Sequence, residues 1–134
     1  MGAAQAVAAA VRRPERLAAV AALGGGGSFR AGERVKDVAF FVGCGDQDFL
    51  LGGARNLRQA LQKGGVKKVV YRQYEDVEHL AVVQLALDHV FAFFEENLHR
   101  MRALLVDLIS NLPTEWQCDC STAVGPLSPY ESGR

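Results

Sequence analysis

Several large classes of protein are excluded by what this chain lacks. No apolar run approaches the roughly 20 residues a helix needs to cross a bilayer, so no membrane partner is expected. Positive charge is not in excess: 15 Lys and Arg are balanced by 15 Asp and Glu. Without a basic block to follow a phosphate backbone, nucleic acid is not an expected partner either. The 3 cysteines are odd in number and too scattered for the framework of a small disulfide-bonded secreted domain. Cys118 and Cys120 form C-x-C with no second pair and no nearby histidine, which argues against zinc. The first residues lack the order of a signal peptide, because Arg12, Arg13 and Arg16 follow the apolar stretch instead of preceding it. An amphipathic, arginine-bearing transit peptide is the alternative. A reduced, cytoplasmic setting is the expectation.

What remains is the composition of a folded domain. At 134 residues there is room for about one domain, and 49% hydrophobic with 22% charged residues is enough for a packed core. Gly2 to Val11 is nearly all alanine and valine, a helix whose small side chains permit close approach, and Pro14 stops it. The apolar run Leu17–Leu23, closed by glycines 24–27, predicts a buried strand. After a polar loop, Val38-Ala-Phe-Phe-Val42 is apolar on both faces, as a central parallel strand requires. A turn over Gly43–Asp48 leads to a helix over Gly53–Lys63, with Ala54, Leu57 and Leu61 on one face and Gly64-Gly65 ending it. Val66–Tyr74 predicts the next strand.

Beyond the loop Glu75–His79, Leu80, Val83, Leu87, Phe91, Phe94 and Leu98 recur at steps of three or four, which lays a stripe along one helix face. A further stripe through Met101, Leu104, Leu105, Leu108, Ile109 and Leu112 predicts an additional amphipathic helix over 98–112. This stripe requires a cover, either the bare face of the sheet or another chain. The Ser-, Pro-, Gly- and Thr-rich residues from 113 to 134 predict a disordered tail. Strands alternating with helices imply crossover connections and a parallel sheet, here of about three strands with flanking helices, in the α/β class.

The order of these pieces, from strand and acid turn to helix, strand and histidine, resembles the C-terminal part of an α/β-hydrolase, of the dienelactone-hydrolase, esterase or prolyl-oligopeptidase-like kind. The likeness covers residues 1–97. In that family nucleophile, acid and base follow in chain order, each at the C-terminal end of a strand. Asp48, in Gly45-Asp-Gln-Asp-Phe-Leu, resembles the acid, with Asp46 as the alternative because a G-x-x-D count from Gly43 ends there. Either aspartate could instead be a turn or cap residue. His79, after the next strand, resembles the general base. His89 and His99 lie within helical patterns and read as helix-surface residues.

The nucleophile of such enzymes sits in G-x-S-x-G on a tight strand-to-helix turn. Met1-Gly2-Ala3-Ala4 resembles the end of that motif, which would set the serine immediately before Met1; the pentapeptide itself is not in the sequence. Ser28 has neither the P-loop lysine nor the closing glycine of the elbow, and reads as part of a flexible connector. Cys44 has no evident base and reads as structural. The resemblance therefore implies a truncated three-layer α/β-hydrolase fold with Asp48 and His79 as catalytic residues. It implies an ester substrate, or a peptide in the prolyl-oligopeptidase-like case, and no metal or organic cofactor. Without its serine the chain is expected to be inactive alone. The rival expectation is a non-catalytic protein that self-associates through its sheet edge and C-terminal helix.

Overall fold

Three apolar runs punctuated by glycine and proline form β1 (Ala19–Leu23), β2 (Ala39–Gly45) and β3 (Val69–Tyr74), a parallel sheet in the order β1-β2-β3. The computed structural model describes residues 2–30, 32 and 34–111. The expectations for Met1, Leu112, Cys118, Cys120 and the tail from Pro113 lie outside these residues. The chain divides into two units, Met1–Arg102 and Ala103–Arg134. In the second, the described residues are helical through Ser110. The helices are α1 (Gly2–Arg12), α2 (Leu51–Lys63) and α3 (Ala81–Ser110), with short 3-10 turns at Pro14–Arg16 and Arg34–Asp37. Among the described residues no helix is long and apolar enough to cross a membrane.

Successive side chains of a strand point to opposite faces, and the sheet is covered on both. On one face Val20, Ala22, Phe40, Val42 and Cys44 form a core with Val7 and Ala10 of α1 and Ala54, Leu57 and Leu61 of α2. On the other, Ala39 and Phe41, flanked by Ala19, Ala21 and Val70, pack against Ala86, Val90 and Phe93 of α3. The rings of Phe41 and Phe93 lie 5.6 Å apart between centroids. Helices on both faces of a parallel sheet make this an α/β protein.

Two sequence expectations need correction. Of the stripe Leu80, Val83, Leu87, Phe91, Phe94 and Leu98, only Phe94 is half-buried against the core, and the other five residues are exposed. The buried line of α3 is Val82, Ala86, Val90, Phe93 and Asn97, turned by about one residue. Both lines are apolar at helical spacing, so periodicity does not separate them. The second correction is to the additional helix over 98–112. Met101 and the described residues after it, through Ser110, continue α3, because no glycine or proline interrupts residues 81–110.

β2 also runs further than Val42. Gly43, Cys44 and Gly45 pair with Arg72, Gln73 and Tyr74. Glycine is required at the end of this strand for room: a Cβ on Gly45 would lie 1.9 Å from the Val77 carbonyl oxygen. Gly45→Ala is expected to destabilise the fold by about 3 kcal/mol or more, since backbone must move to admit one methyl group. Gly52, in the first turn of α2 with nothing within 4 Å of its would-be Cβ, is the control. Gly52→Ala is expected to stabilise by about 0.5–1 kcal/mol. Urea denaturation of both variants checks the pair.

Candidate active site

Parallel strands deliver their following loops to one edge of a sheet, and here the loops after β2 and β3 are stitched together. The Asp46 amide donates to the Tyr74 carbonyl at 2.9 Å, and the Gln47 amide to the Val77 carbonyl at 3.2 Å. In return the Val77 amide donates to Asp46 Oδ1 at 3.3 Å, and Gln47 Nε2 to Asp76 Oδ1 at 3.2 Å. Asp76 takes a left-handed backbone conformation (φ 54°), which aspartate tolerates better than most residues and which turns the chain after β3. This places His79 over the acid turn.

Asp48 and His79, 31 residues apart in sequence, meet through the ring Nδ1, at 2.9 Å from Asp48 Oδ2 and 3.1 Å from Oδ1. Asp48 is 4% exposed, whereas the His79 side chain keeps 31% of its surface open. The carboxylate is held from two further sides. Its Oδ1 accepts the Leu50 amide at 2.8 Å, the Asx-turn geometry that precedes α2, and its Oδ2 accepts the Cys44 thiol at 3.4 Å. Burial pushes the Asp48 carboxyl up, but the Leu50 amide, the His79 ring and the Cys44 thiol outweigh it, so its pKa falls below the ordinary value. An ionised carboxylate accepts the Nδ1 proton, which leaves the ring's lone pair on Nε2. Among the described residues, Nε2 has no hydrogen-bond partner.

Asp46, the alternative acid, is occupied with the Val77 amide. The aspartates therefore divide the work, Asp46 tying the histidine loop down and Asp48 holding the ring. The glycine run after β1, read from sequence as a flexible connector, is closely packed. Gly24 (φ +60°) lies against the ring of His79, where a Cβ would come within 3.2 Å of Cε1. A Cβ on Gly26 would collide with the Gly53 carbonyl of α2, and Gly27 abuts Ala4 in the first turn of α1. The start of α1, the end of β1 and His79 thus share one edge. No sequence signal separated these glycines from a spacer, since close packing and flexibility demand the same residue.

The exposed side of His79 borders an open hollow of about 460 Å³ lined by Gln47, Phe49, Glu78, His79 and Leu80. Phe49 and Leu80 are 80% and 83% exposed, and the Phe49 ring tilts over the imidazole at 4.8 Å between centroids. His89, read from sequence as a plain surface residue, sits in a polar cluster on β3. Arg72 donates to its Nε2 at 3.0 Å, which leaves its Nδ1 proton for the Tyr74 hydroxyl at 3.1 Å. Among the described residues no carboxylate bonds His89. Among the described residues no group of three or more His, Cys, Asp and Glu is arranged to hold a metal.

Burial first, then the hydrogen bond and negative charge of Asp48, push the Cys44 thiol up to about 12. It is a neutral donor and not a nucleophile. At pH 8, peptide mapping after iodoacetamide treatment is expected to show Cys44 unmodified in the native chain and alkylated in urea. Asp48 gives a second expectation. Because its pKa is lowered on folding, its stabilisation is complete above the unfolded value near 4 and is lost as pH falls through the folded value. Asp48→Asn is expected to cost about 2 kcal/mol at pH 7 and to weaken the dependence of the urea midpoint on pH across the acid range. The chain matches no protein-family model, no curated protein and no solved structure.

Proposed function

We propose that Asp48 and His79 are the acid and base of a Ser–His–Asp hydrolase acting on carboxylic esters. The supporting observation is the hydrogen bond from His79 Nδ1 to a buried carboxylate with a lowered pKa, made where two adjacent parallel strands end. This is the arrangement that fixes an imidazole tautomer and stabilises the imidazolium formed during proton transfer. With Nδ1 committed, Nε2 removes the proton of a serine hydroxyl as its Oγ attacks the ester carbonyl carbon. The imidazolium then returns that proton to the departing alcohol, leaving an acyl-enzyme. Water, activated by the same nitrogen, releases the acid and restores the serine.

The serine itself is not among the described residues: neither Ser28 nor Ser110 bonds His79. In the register that the α/β-hydrolase resemblance suggests, it would precede α1, whose first turn packs beside the glycine loop that touches His79. Phe49 and Leu80 favour an apolar acyl or alcohol group in the hollow, and Glu78 disfavours an anionic one. A non-catalytic, self-associating role is a second reading, favoured by the exposed apolar residues of α3.

Pre-steady-state hydrolysis of p-nitrophenyl acetate by the purified chain tests the proposal. The expected trace has no acyl-enzyme burst, only a slow linear release that falls to the buffer rate in His79→Ala and declines in Asp48→Asn. A stoichiometric burst would overturn the expectation that this chain alone is inactive. A linear rate indifferent to His79→Ala would overturn the base.

A further inference from the structure

The line of α3 that misses the sheet has a regular pattern of its own. Leu87, Phe91, Phe94, Leu98 and Met101 follow steps of 4, 3, 4 and 3, and Leu105, Leu108 and Leu112 continue that spacing in the sequence. A repeat of seven with two apolar positions is the seam along which helices pair. Phe91 is 60% and Leu98 57% exposed, and Leu87 and Met101 are also exposed, with Phe94 half-buried between them. The seam faces away from β3. Glu96 pairs with Lys68 and His89 bonds Arg72 and Tyr74 on the opposite flank of the helix, so the seam lies toward β1, the other edge strand.

We propose that a second copy of this chain covers the seam, its α3 running antiparallel to the first about a twofold axis between Leu98 and Met101. The choice of partner and direction comes from the charges beside the seam. Glu95 and Arg102 occupy equivalent positions seven residues apart on one flank, both exposed, and among the described residues neither has an ion-pair partner. In an antiparallel pair like positions face each other across the seam. With Leu98 opposite the partner's Met101 and Phe94 opposite its Leu105, Glu95 faces the partner's Arg102 twice over.

Sliding the pair by one repeat in one direction sets Arg102 against Arg102, so the charges oppose that register. In the other direction Glu95 meets Glu95 once, while Asp88, exposed on the same flank, meets the partner's Arg102 twice. A parallel pair would instead bring Glu95 and Arg102 to the positions of Val90 and Asn97, which are buried against the sheet and carry no charge.

Sedimentation equilibrium on the full chain, with far-UV circular dichroism to confirm folding, is the test. The wild type is expected to be a dimer and Leu98→Lys, at an exposed position, a folded monomer. Glu95→Arg and Arg102→Glu are each expected to weaken self-association by about tenfold, since both contacts of the pair change from attraction to repulsion. Mixed together, the two variants are expected to form a heterodimer as tight as the wild type. A monomeric wild type, or a dimer that survives Leu98→Lys, would overturn the seam as the interface. Charge variants that prefer themselves to one another would overturn the antiparallel register.

Discussion

One close approach, of the Val77 carbonyl to the α-carbon of Gly45, governs the carboxyl edge of the sheet. It sets the histidine loop directly on the last residue of β2, and the same carbonyl then accepts the Gln47 amide. Any side chain at position 45 would hold the two loops apart, and the four hydrogen bonds between them would open together. The separation of Asp48 and His79 is therefore decided by the main chain before either side chain takes part. Gly24 does the same from the neighbouring strand, where the lack of a Cβ lets the ring settle against the backbone.

Asp48 shows how a structural and a chemical role coexist in one residue. An aspartate just ahead of a helix is an ordinary turn device, and Asp48 serves as one by accepting the Leu50 amide. The same bond stabilises the ionised form, as do the His79 ring and the Cys44 thiol, and together they outweigh burial. The thiol adds to this balance only while protonated, because a thiolate in its place would repel the carboxylate. Its own raised pKa, caused by burial and by Asp48, keeps it a donor.

Much of the fold was legible in the sequence, for a specific reason. Glycine or proline closes at least one end of each strand run, so strand and helix types could be read and the strand count followed. Asp48 and His79 could be picked out through the resemblance to an α/β-hydrolase, in which acid and base follow successive parallel strands. What could not be read depends on contacts distant in sequence. Gly43-Cys-Gly45 has the composition of a turn, and pairing with β3, and of Gly43 with β1, makes it strand. The phase of α3 was hidden because two adjacent lines of the helix are both apolar. The partnership of Cys44 with Asp48, four residues apart, left no pattern to find.

The Asp46 amide's bond to the Tyr74 carbonyl carries a further consequence. It closes the path from the end of β2 through α2 and back along β3 into a loop whose two ends are clasped. Gly64 and Gly65, the latter at φ +76°, turn the chain at the far end of α2. Insertions or drift there would lengthen an excursion whose mouth stays shut, leaving the geometry at the rim untouched. Evolution could vary that turn freely while the pair at the opposite end stayed in register.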